Sequence, residues 1–365
     1  MRRILYFSRQ YSPHDHRFLQ ALSDGGDQVF VMHLEARPHP LEDRPVPPSV
    51  EQIHWRGGKG TFTYRQFFPL RADFTRVVQA LHPDFILAGP LQTCAFIAAS
   101  LNLPNLVSMS WGYDLLIDAP RSLWTRGITR FTLQRSAALL GDCETIRRLA
   151  ISYGMKANKI VTFPWGVDLE HFSPSPNAAS ADGKMVFLST RGWEPIYGVD
   201  VIAKAFARVA QKYPHVNLVM LGNGSLSAEL RRVFTSQGVS ERVSFPGQIG
   251  YQQLPRYYRM ANIYLSASHS DGTSISLLEA MACGCPVIVS DIPGNREWIT
   301  PGEQGWLFPD GDVTALAQGM EQAILDPQQL RRMGAAARLR VEQRANWKEN
   351  FPRIYQAFEL VEHRN

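Results

Sequence analysis

Two carboxylates, Asp271 and Glu279, flank a turn of small residues in the run ANIYLSASHSDGTSISLLEAMACGCPVIVSDIPGNREWI at 261–299. Carboxylates accept hydrogen bonds from hydroxyls, so the pair suits a polyol ligand such as a sugar or a ribose. An alternating apolar run ends at Ser268, polar HSDGTS follows, and ISLLEAMA has helix composition. This order predicts strand, loop and helix N-terminus. At such a helix start the N–H groups of Gly272, Thr273 and Ser274 lack intrahelical acceptors, and the helix end favours negative charge, so phosphate or sugar oxygens fit there. On spacing alone, a helix cap followed by a solvated glutamate is the commoner explanation of the same residues.

Residues of this kind need a scaffold. A chain of 365 residues exceeds the usual size of one core and predicts two domains. In the first half, RILYFS at 3–8, QVFVMH at 28–33 and DFILA at 84–88 read as buried strands, and HRFLQALSDGG from His16 reads as a helix closed by Gly25 and Gly26. PNLVSMSWGYD supplies a further strand, 126–150 reads as helix, short strand and helix, and KIVTFPWGVD at 159–168 closes the half. SPSPNAASADGK at 173–184 reads as a linker or surface loop. Strand-like runs follow at 184–190, 216–222, 241–247, 261–267 and 285–291, separated by helix-compatible segments. Alternation of this kind predicts parallel sheets covered by helices, with ligands at the carboxyl ends of the strands. The terminal NWKENFPRIYQAFELVEHRN reads as a helix broken near Pro352.

Composition narrows the function. A formal charge of +5 is mild for this length and favours anionic ligands or an acidic membrane surface only weakly. No basic and aromatic interleave supports nucleic-acid binding, and the pairs Arg147–Arg148, Arg231–Arg232 and Arg331–Arg332 read as solvated helix faces. MRRILYFSRQ does not resemble a signal peptide, and no run of about 18 uncharged apolar residues is present to span a membrane. Cys94, Cys143, Cys283 and Cys285 form no extracellular framework and have no metal-ligand spacing, which predicts a reduced cytoplasmic protein without structural zinc.

The order of motifs resembles the group 1, or GT4, retaining glycosyltransferases. DGTSISLLEAMACGCPVIVSD is similar to that family's signature, in which an acidic residue, seven intervening residues and a glutamate lead into an alanine-methionine-alanine helix. PWGVDLEHFSP at 164–174 resembles its interdomain segment, STRGWEPIYGVDVIAKAF at 189–206 its arginine-containing loop, and LGNGSLSAELRR at 221–232 the strand and turn that approach the nucleotide. The resemblance implies an α/β protein of GT-B architecture, two facing Rossmann-like domains with an interdomain cleft. It places an acceptor-binding domain at 1–168, a nucleotide-sugar-binding domain at 169–345 and a terminal helix at 346–365 packing back toward the first domain.

By motif position, the resemblance implies that Arg191 binds the diphosphate, Asp271 orients the donor sugar and Glu279 contacts the ribose. Gly272, Thr273, Ser274 and Ile275 would present amides, and Gly222, Asn223 and Gly224 would line the donor. Chemically, Arg191 offers a planar donor fork for phosphate oxygens. The family's usual lysine is replaced by Tyr197, a further donor-site candidate, and Asp271 stands where glutamate is common. In the first half, SRQYSPHDHRF at 8–18 replaces a glycine-rich loop, and Arg9, His14 and His16 are candidates for acceptor or interdomain contacts. SMSWGYDLLID at 108–118 is similar to a histidine-glycine-x-aspartate segment, with Trp111 at the histidine position and Asp114 retained. Glu297 resembles an acidic position at the cleft, while Gly166, Val167 and Asp168 fit a tight turn.

The implied activity is retaining transfer of a sugar from a nucleotide-sugar to a glycan, lipid or small-molecule hydroxyl. The nucleotide-sugar is a substrate, and neither a further cofactor nor a metal is expected. The expected setting is cytoplasmic, including the inner face of a membrane. The alternative is a nucleotide-sugar-binding or assembly protein without turnover, suggested by Tyr197 and Trp111.

Overall fold

The computed structural model describes residues 1–36, 42–175 and 184–363. The chain divides into two compact units, Met1–Phe163 with Phe351–Asn365, and Pro164–Asn350. Most of the loop read at 173–184 lies outside the described residues.

The first unit is built on a parallel sheet. Its elements are β1 (Arg3–Ser8), α1 (Pro13–Asp24), β2 (Gln28–His33), β3 (Glu51–Gln52), α2 (Phe67–Leu81), β4 (Phe85–Ala88), α3 (Cys94–Ala99), β5 (Leu106–Met109), α4 (Leu123–Arg135), β6 (Ala138–Gly141), α5 (Glu144–Ser152) and β7 (Ile160–Thr162). The strand order is β3-β2-β1-β4-β5-β6-β7. Covered on both faces, its central strands are continuous apolar runs: Ile4 to Phe7 and Ile86 to Ala88 are fully buried. Helix α1 begins at Pro13, three residues before the expected His16. Ser12 caps it by accepting from the Asp15 N–H, and proline suits the first helical position because its missing N–H would have had no partner.

The second unit holds β8 (Met185–Ser189), α6 (Val199–Lys212), β9 (Val216–Leu221), α7 (Ser227–Ser236), β10 (Val243–Gly247), α8 (Leu254–Met260), β11 (Ile263–Ser266), α9 (Ile275–Ala282), β12 (Val287–Ser290), α10 (Pro293–Arg296), β13 (Gly305–Phe308), α11 (Val313–Leu325), α12 (Pro327–Arg344) and α13 (Trp347–Asn350). Its strands run in parallel in the order β10-β9-β8-β11-β12-β13. The two ends of this unit are tied together. The Val167 N–H donates to Ala345 at 2.8 Å and the Trp347 N–H to Val167 at 3.1 Å. Gly166, at φ +58°, lies so close to the Ala345 carbonyl that a Cβ would collide with it. After a single 3₁₀ turn at Phe351–Arg353, α14 (Ile354–Glu362) belongs to the first unit, where Phe358 stacks on Phe85 at 4.2 Å. The break falls at Pro352, as the sequence predicts.

Both units are therefore Rossmann-like. In each, the strand order reverses beside the first strand, between β1 and β4 and between β8 and β11. Loops leaving the carboxyl ends of those strands diverge and leave room for a ligand.

Candidate active site

In the second unit the reversal point gathers four of the residues singled out from sequence. Arg191 leaves the end of β8, and Asp271 to Ile275 join β11 to α9. The Arg191 guanidinium donates from Nη2 to Asp271 Oδ2 at 2.8 Å and from Nη1 to Ser274 Oγ at 3.0 Å and Ser276 Oγ at 3.1 Å. Its carbon lies 4.2 Å from the centroid of the Tyr197 ring, a cation–π distance. Burial works against its charge, but the fields of Asp271 and the surrounding tyrosines outweigh burial and raise its pKa. The position expected to hold lysine thus holds a ring that packs the arginine instead of adding a second cation.

Ser274 is the N-cap of α9, accepting from the Leu277 N–H. Gly272, Thr273 and Ser274 are buried, while Ile275, the first helical residue, is partly exposed. The turn sits on α10: a Cβ at Gly294 would strike the Gly272 carbonyl, so glycine is what lets this backbone approach so closely.

Glu279 lies on α9 and is 8 % exposed. Its Oε2 accepts from the Tyr258 hydroxyl at 2.8 Å, and that hydroxyl lies 3.1 Å from Thr190 Oγ1, one residue before Arg191. Burial, followed by the neighbouring Glu279 charge, raises the Tyr258 pKa well above its ordinary value, so the phenol keeps its proton and donates it. A parallel link runs from the Tyr264 hydroxyl to Ser276 Oγ at 2.8 Å. Tyr258, Tyr264, Thr190 and Ser276 are absent from the sequence reading, because each sits in an apolar or small-residue run where a hydroxyl looks incidental.

Gly222, Asn223 and Gly224 follow β9 and interlock with the arginine loop. The Trp193 N–H donates to the Asn223 carbonyl at 2.9 Å and Trp193 Nε1 to the Leu221 carbonyl at 3.0 Å. Gly222 takes φ +98°, and a Cβ at Gly224 would meet the Trp193 carbonyl. Glu297 ends α10; its carbonyl accepts from Arg344 at 2.7 Å. Thus Arg191, Asp271, Ser274 and Tyr197 form one cluster, with Glu279 joined through Tyr258 and Thr190.

The first unit brings His14 and Trp111 together and ties Arg9, His16 and Asp114 to partners of their own. Arg9, expected at an acceptor or phosphate, has its guanidinium committed to Glu35 at 2.9 Å, with the Glu35 side chain only 2 % exposed. The pairing follows from register: Ser8 faces His33 across β1 and β2, so the two chain ends run on together. His16 shares its Nδ1 with the Tyr11 hydroxyl at 2.8 Å and the Pro45 carbonyl at 3.2 Å. The His14 ring lies 5.5 Å from Trp111, and burial followed by Arg17 pushes its pKa down to about 3, leaving it neutral. Asp114 is 1 % exposed and faces inward: it accepts from the Leu91 N–H at 3.1 Å, the Leu115 N–H at 3.0 Å and the Ser110 hydroxyl at 2.6 Å. Burial dominates these bonds and raises its pKa to about 6. A cavity of about 410 Å³ beside β2 is lined by Gln10, Tyr11, His33, Glu35, Trp55 and Lys59 among others. Among the described residues no group of three or more His, Cys, Asp or Glu side chains could hold a metal ion, and all four cysteines are free and buried.

Known proteins resemble this chain in sequence and in fold. The family model described as Glycosyltransferase Family 4 matches residues 14–171, and that described as Glycosyl transferases group 1 matches 175–340. A GDP-mannose-dependent monoacylated alpha-(1-6)-phosphatidylinositol monomannoside mannosyltransferase of Corynebacterium glutamicum is 28 % identical over 292 residues, covering 72 % of each chain. A phosphatidyl-myo-inositol mannosyltransferase of Mycobacterium leprae is 31 % identical over 55 % of this chain and 54 % of its own. The chain thus spans about half the length of some curated relatives and nearly three quarters of another. Among solved structures, the sucrose-phosphate synthase of Thermosynechococcus elongatus superposes with a TM-score of 0.84 at 19 % identity, covering 100 % of both chains. Anabaena HepE, solved with UDP and glucose, gives 0.80 at 19 % identity over 98 % of this chain and 100 % of its own. The consecutive family matches, one over each half, and the two Rossmann-like units agree: the chain belongs to the GT4 glycosyltransferases of the GT-B superfamily.

Proposed function

We propose that this protein is a retaining glycosyltransferase that carries a sugar from a nucleotide-sugar to a hydroxyl acceptor, with the donor on the second unit and the acceptor on the first. The observation that carries the reading is the Arg191 cluster: an arginine fork, a carboxylate and a capped helix start converge at the point where the strand order reverses. Donor diphosphate oxygens are met by Arg191 and the amides of Gly272 to Ile275, which also balance the charge that grows on the leaving group. Asp271 accepts from sugar hydroxyls, and Glu279, fixed by Tyr258, accepts from the ribose. The acceptor oxygen bonds to C1 on the face from which the diphosphate departs. The C1–O bond to diphosphate breaks with its electron pair on the diphosphate, which takes the acceptor's proton.

The names of the similar proteins supply donors to try first, GDP-mannose and UDP-glucose, and lipid-borne acceptors among others. We place the reaction at the cytoplasmic face of a membrane, with the protein held there peripherally. A second reading, donor binding without transfer, draws on one observation: the Arg191 charge is already set against Asp271, and Tyr197 brings no second cation. Incubating the protein with a nucleotide-sugar panel and pooled acceptors, with mass spectrometry of donor and product, separates the two. Transfer gives a sugar-sized mass gain that Arg191→Ala abolishes. Donor binding with no mass gain against any acceptor class turns the choice to the second reading.

A further inference from the structure

The first unit carries an exposed aromatic and basic surface that the site does not use. Four large apolar side chains stand in water where α2 and α4 begin: Phe68 is 77 % exposed, Leu123 85 %, Trp124 62 % and Tyr64 40 %. Tyr64 precedes α2 and Trp124 opens α4, and their rings meet edge on at 6.1 Å, which joins the two helix starts. Beneath them the helices are locked side by side through Phe67, Phe96 and Phe131, with ring centroids 4.9 and 5.6 Å apart. The patch is therefore part of a rigid layer, and the apolar groups are displayed by it. Met1, Tyr113, Ile151, Met260, Leu325 and Leu339, also exposed, stand singly along the chain.

Its charge is mostly of one sign, with Asp118 the acidic group whose field reaches Tyr64 and Arg121. The segments 61–68 and 119–136 contain Arg65, Arg121, Arg126, Arg130 and Arg135 and no acidic residue. All five arginines are exposed, and Arg135 also lies over the Phe131 ring at 4.0 Å. The next acidic residue along α2, Asp73, is held by Arg76 at 2.8 Å. Exposed tryptophan, tyrosine, phenylalanine and leucine at one end of a helix that carries exposed arginines along its length match a bilayer interface, where rings sit at headgroup depth and guanidinium groups meet anionic headgroups.

We propose that this surface docks the protein onto a membrane containing anionic lipid, with Leu123, Trp124, Phe68 and Tyr64 entering the headgroup layer. The inference rests on the peripheral association proposed above for its partner class, and assigns that association to particular residues. Because α2 and α4 start at the carboxyl edge of the sheet, docking turns that edge, with the loops after β1 and β5, toward the bilayer. An acceptor carried on a lipid is then delivered to the edge that Arg9 and Trp111 occupy.

Co-sedimentation of the full-length protein with phosphatidylcholine vesicles, with and without phosphatidylglycerol, tests the assignment. Two double variants are compared, Leu123→Asp with Trp124→Ser, and Arg126→Gln with Arg130→Gln, each checked for an unchanged unfolding temperature and unchanged nucleotide binding. The expected result is binding that requires phosphatidylglycerol and falls by about tenfold or more in either variant. Wild-type protein that ignores both vesicle types overturns the association and this surface together. Wild-type binding that both variants retain overturns the surface and leaves the association standing. A stable dimer of wild-type protein that Leu123→Asp with Trp124→Ser dissolves, with vesicle binding unchanged, makes the patch a self-interface and overturns the proposal.

Discussion

Arg191 is held on one side by three acceptors and on the other by a ring, so its value depends on its shape as much as its charge. Lysine cannot reproduce a fork that reaches Asp271, Ser274 and Ser276 together. Arg191→Lys is expected to lower kcat by about a hundredfold, and Arg191→Ala further, in initial-rate measurements of product. Tyr258→Phe removes the hydroxyl that fixes Glu279 without altering packing. The expected result is a donor KM raised by about tenfold with kcat within about a factor of three, since a hydrogen bond to a charged group contributes about 1.5–3 kcal/mol. Equal losses in kcat and kcat/KM would assign Tyr258 a part in the transition state instead. Asp15 gives a pH signature. Burial outweighs the hydrogen bonds from Ser12, which favour the charged form, and lifts its pKa from 3.8 to about 6. The folded state therefore binds more protons than the unfolded chain between about pH 4 and 6, and stability falls as pH rises through that window. Two units correspond to about 3 kcal/mol at neutral pH. Asp15→Asn should flatten this part of the profile when urea unfolding is followed at pH 4.5 and 7. At this scale the sequence exposes Asp271 and Glu279 by type and spacing, and Arg191 through the resemblance of its loop to the family's. It hides their supports, because a tyrosine inside ANIYLSA or RYYRM looks like packing until its hydroxyl is found on a carboxylate or a serine. The ion pair of Arg9 is hidden for the complementary reason: Glu35, its partner, lies 26 positions away by numbering and beside it only in register.

Most elements were legible because their strands are buried on both faces, β10 at the sheet edge being the exception. The runs at 3–8 and 28–33 coincide with β1 and β2, and the five runs of the second half each contain a strand. Two strands escaped. β3 is only two residues, both exposed, and β13, GWLF, is a short edge strand whose three apolar residues, opened by Gly305 and followed by Pro309, are fewer than the four to eight that signal a strand. The start of α1 was misplaced because Ser12-Pro13 reads as a turn, whereas the serine caps and the proline begins the helix. Ser12→Ala should accordingly lower the stability of the first unit by about 1 kcal/mol in urea titration. The α9 start is positioned by a backbone contact instead. Gly294→Ala places a methyl group against the Gly272 carbonyl and must push the Asp271–Gly272 turn off α10. A cost of about 1–3 kcal/mol is expected, together with weaker donor binding by calorimetry; unchanged affinity would show that the turn's position does not matter to the ligand.

For the whole molecule, α14 is the element on which the first unit most depends at a distance in sequence. Phe351, Ile354, Phe358 and Val361 are all buried, Phe351 lies 6.0 Å from Phe18, and the Tyr355 hydroxyl donates to Asp27. At roughly 2 kcal/mol for each large apolar side chain, the segment contributes about 8 kcal/mol, comparable to the entire net stability of a domain. Ending the chain after Asn350 should abolish the unfolding transition of the first unit while that of the second persists; a scanning calorimeter distinguishes this from a uniform loss.

The two crossings of the chain between units also set a timetable. The second unit is one unbroken stretch, Pro164–Asn350, whereas the first is opened by residue 1 and completed only by the last fifteen. The half made first must wait, its sheet lacking α14, while the half made second needs nothing beyond Asn350. Pulse proteolysis of nascent chains stalled after Asn350 plus a linker that spans the exit tunnel should therefore find the later-made unit protected and the earlier one not. The long interval in which Phe85 and Phe18 are uncovered is when this protein has most need of a chaperone.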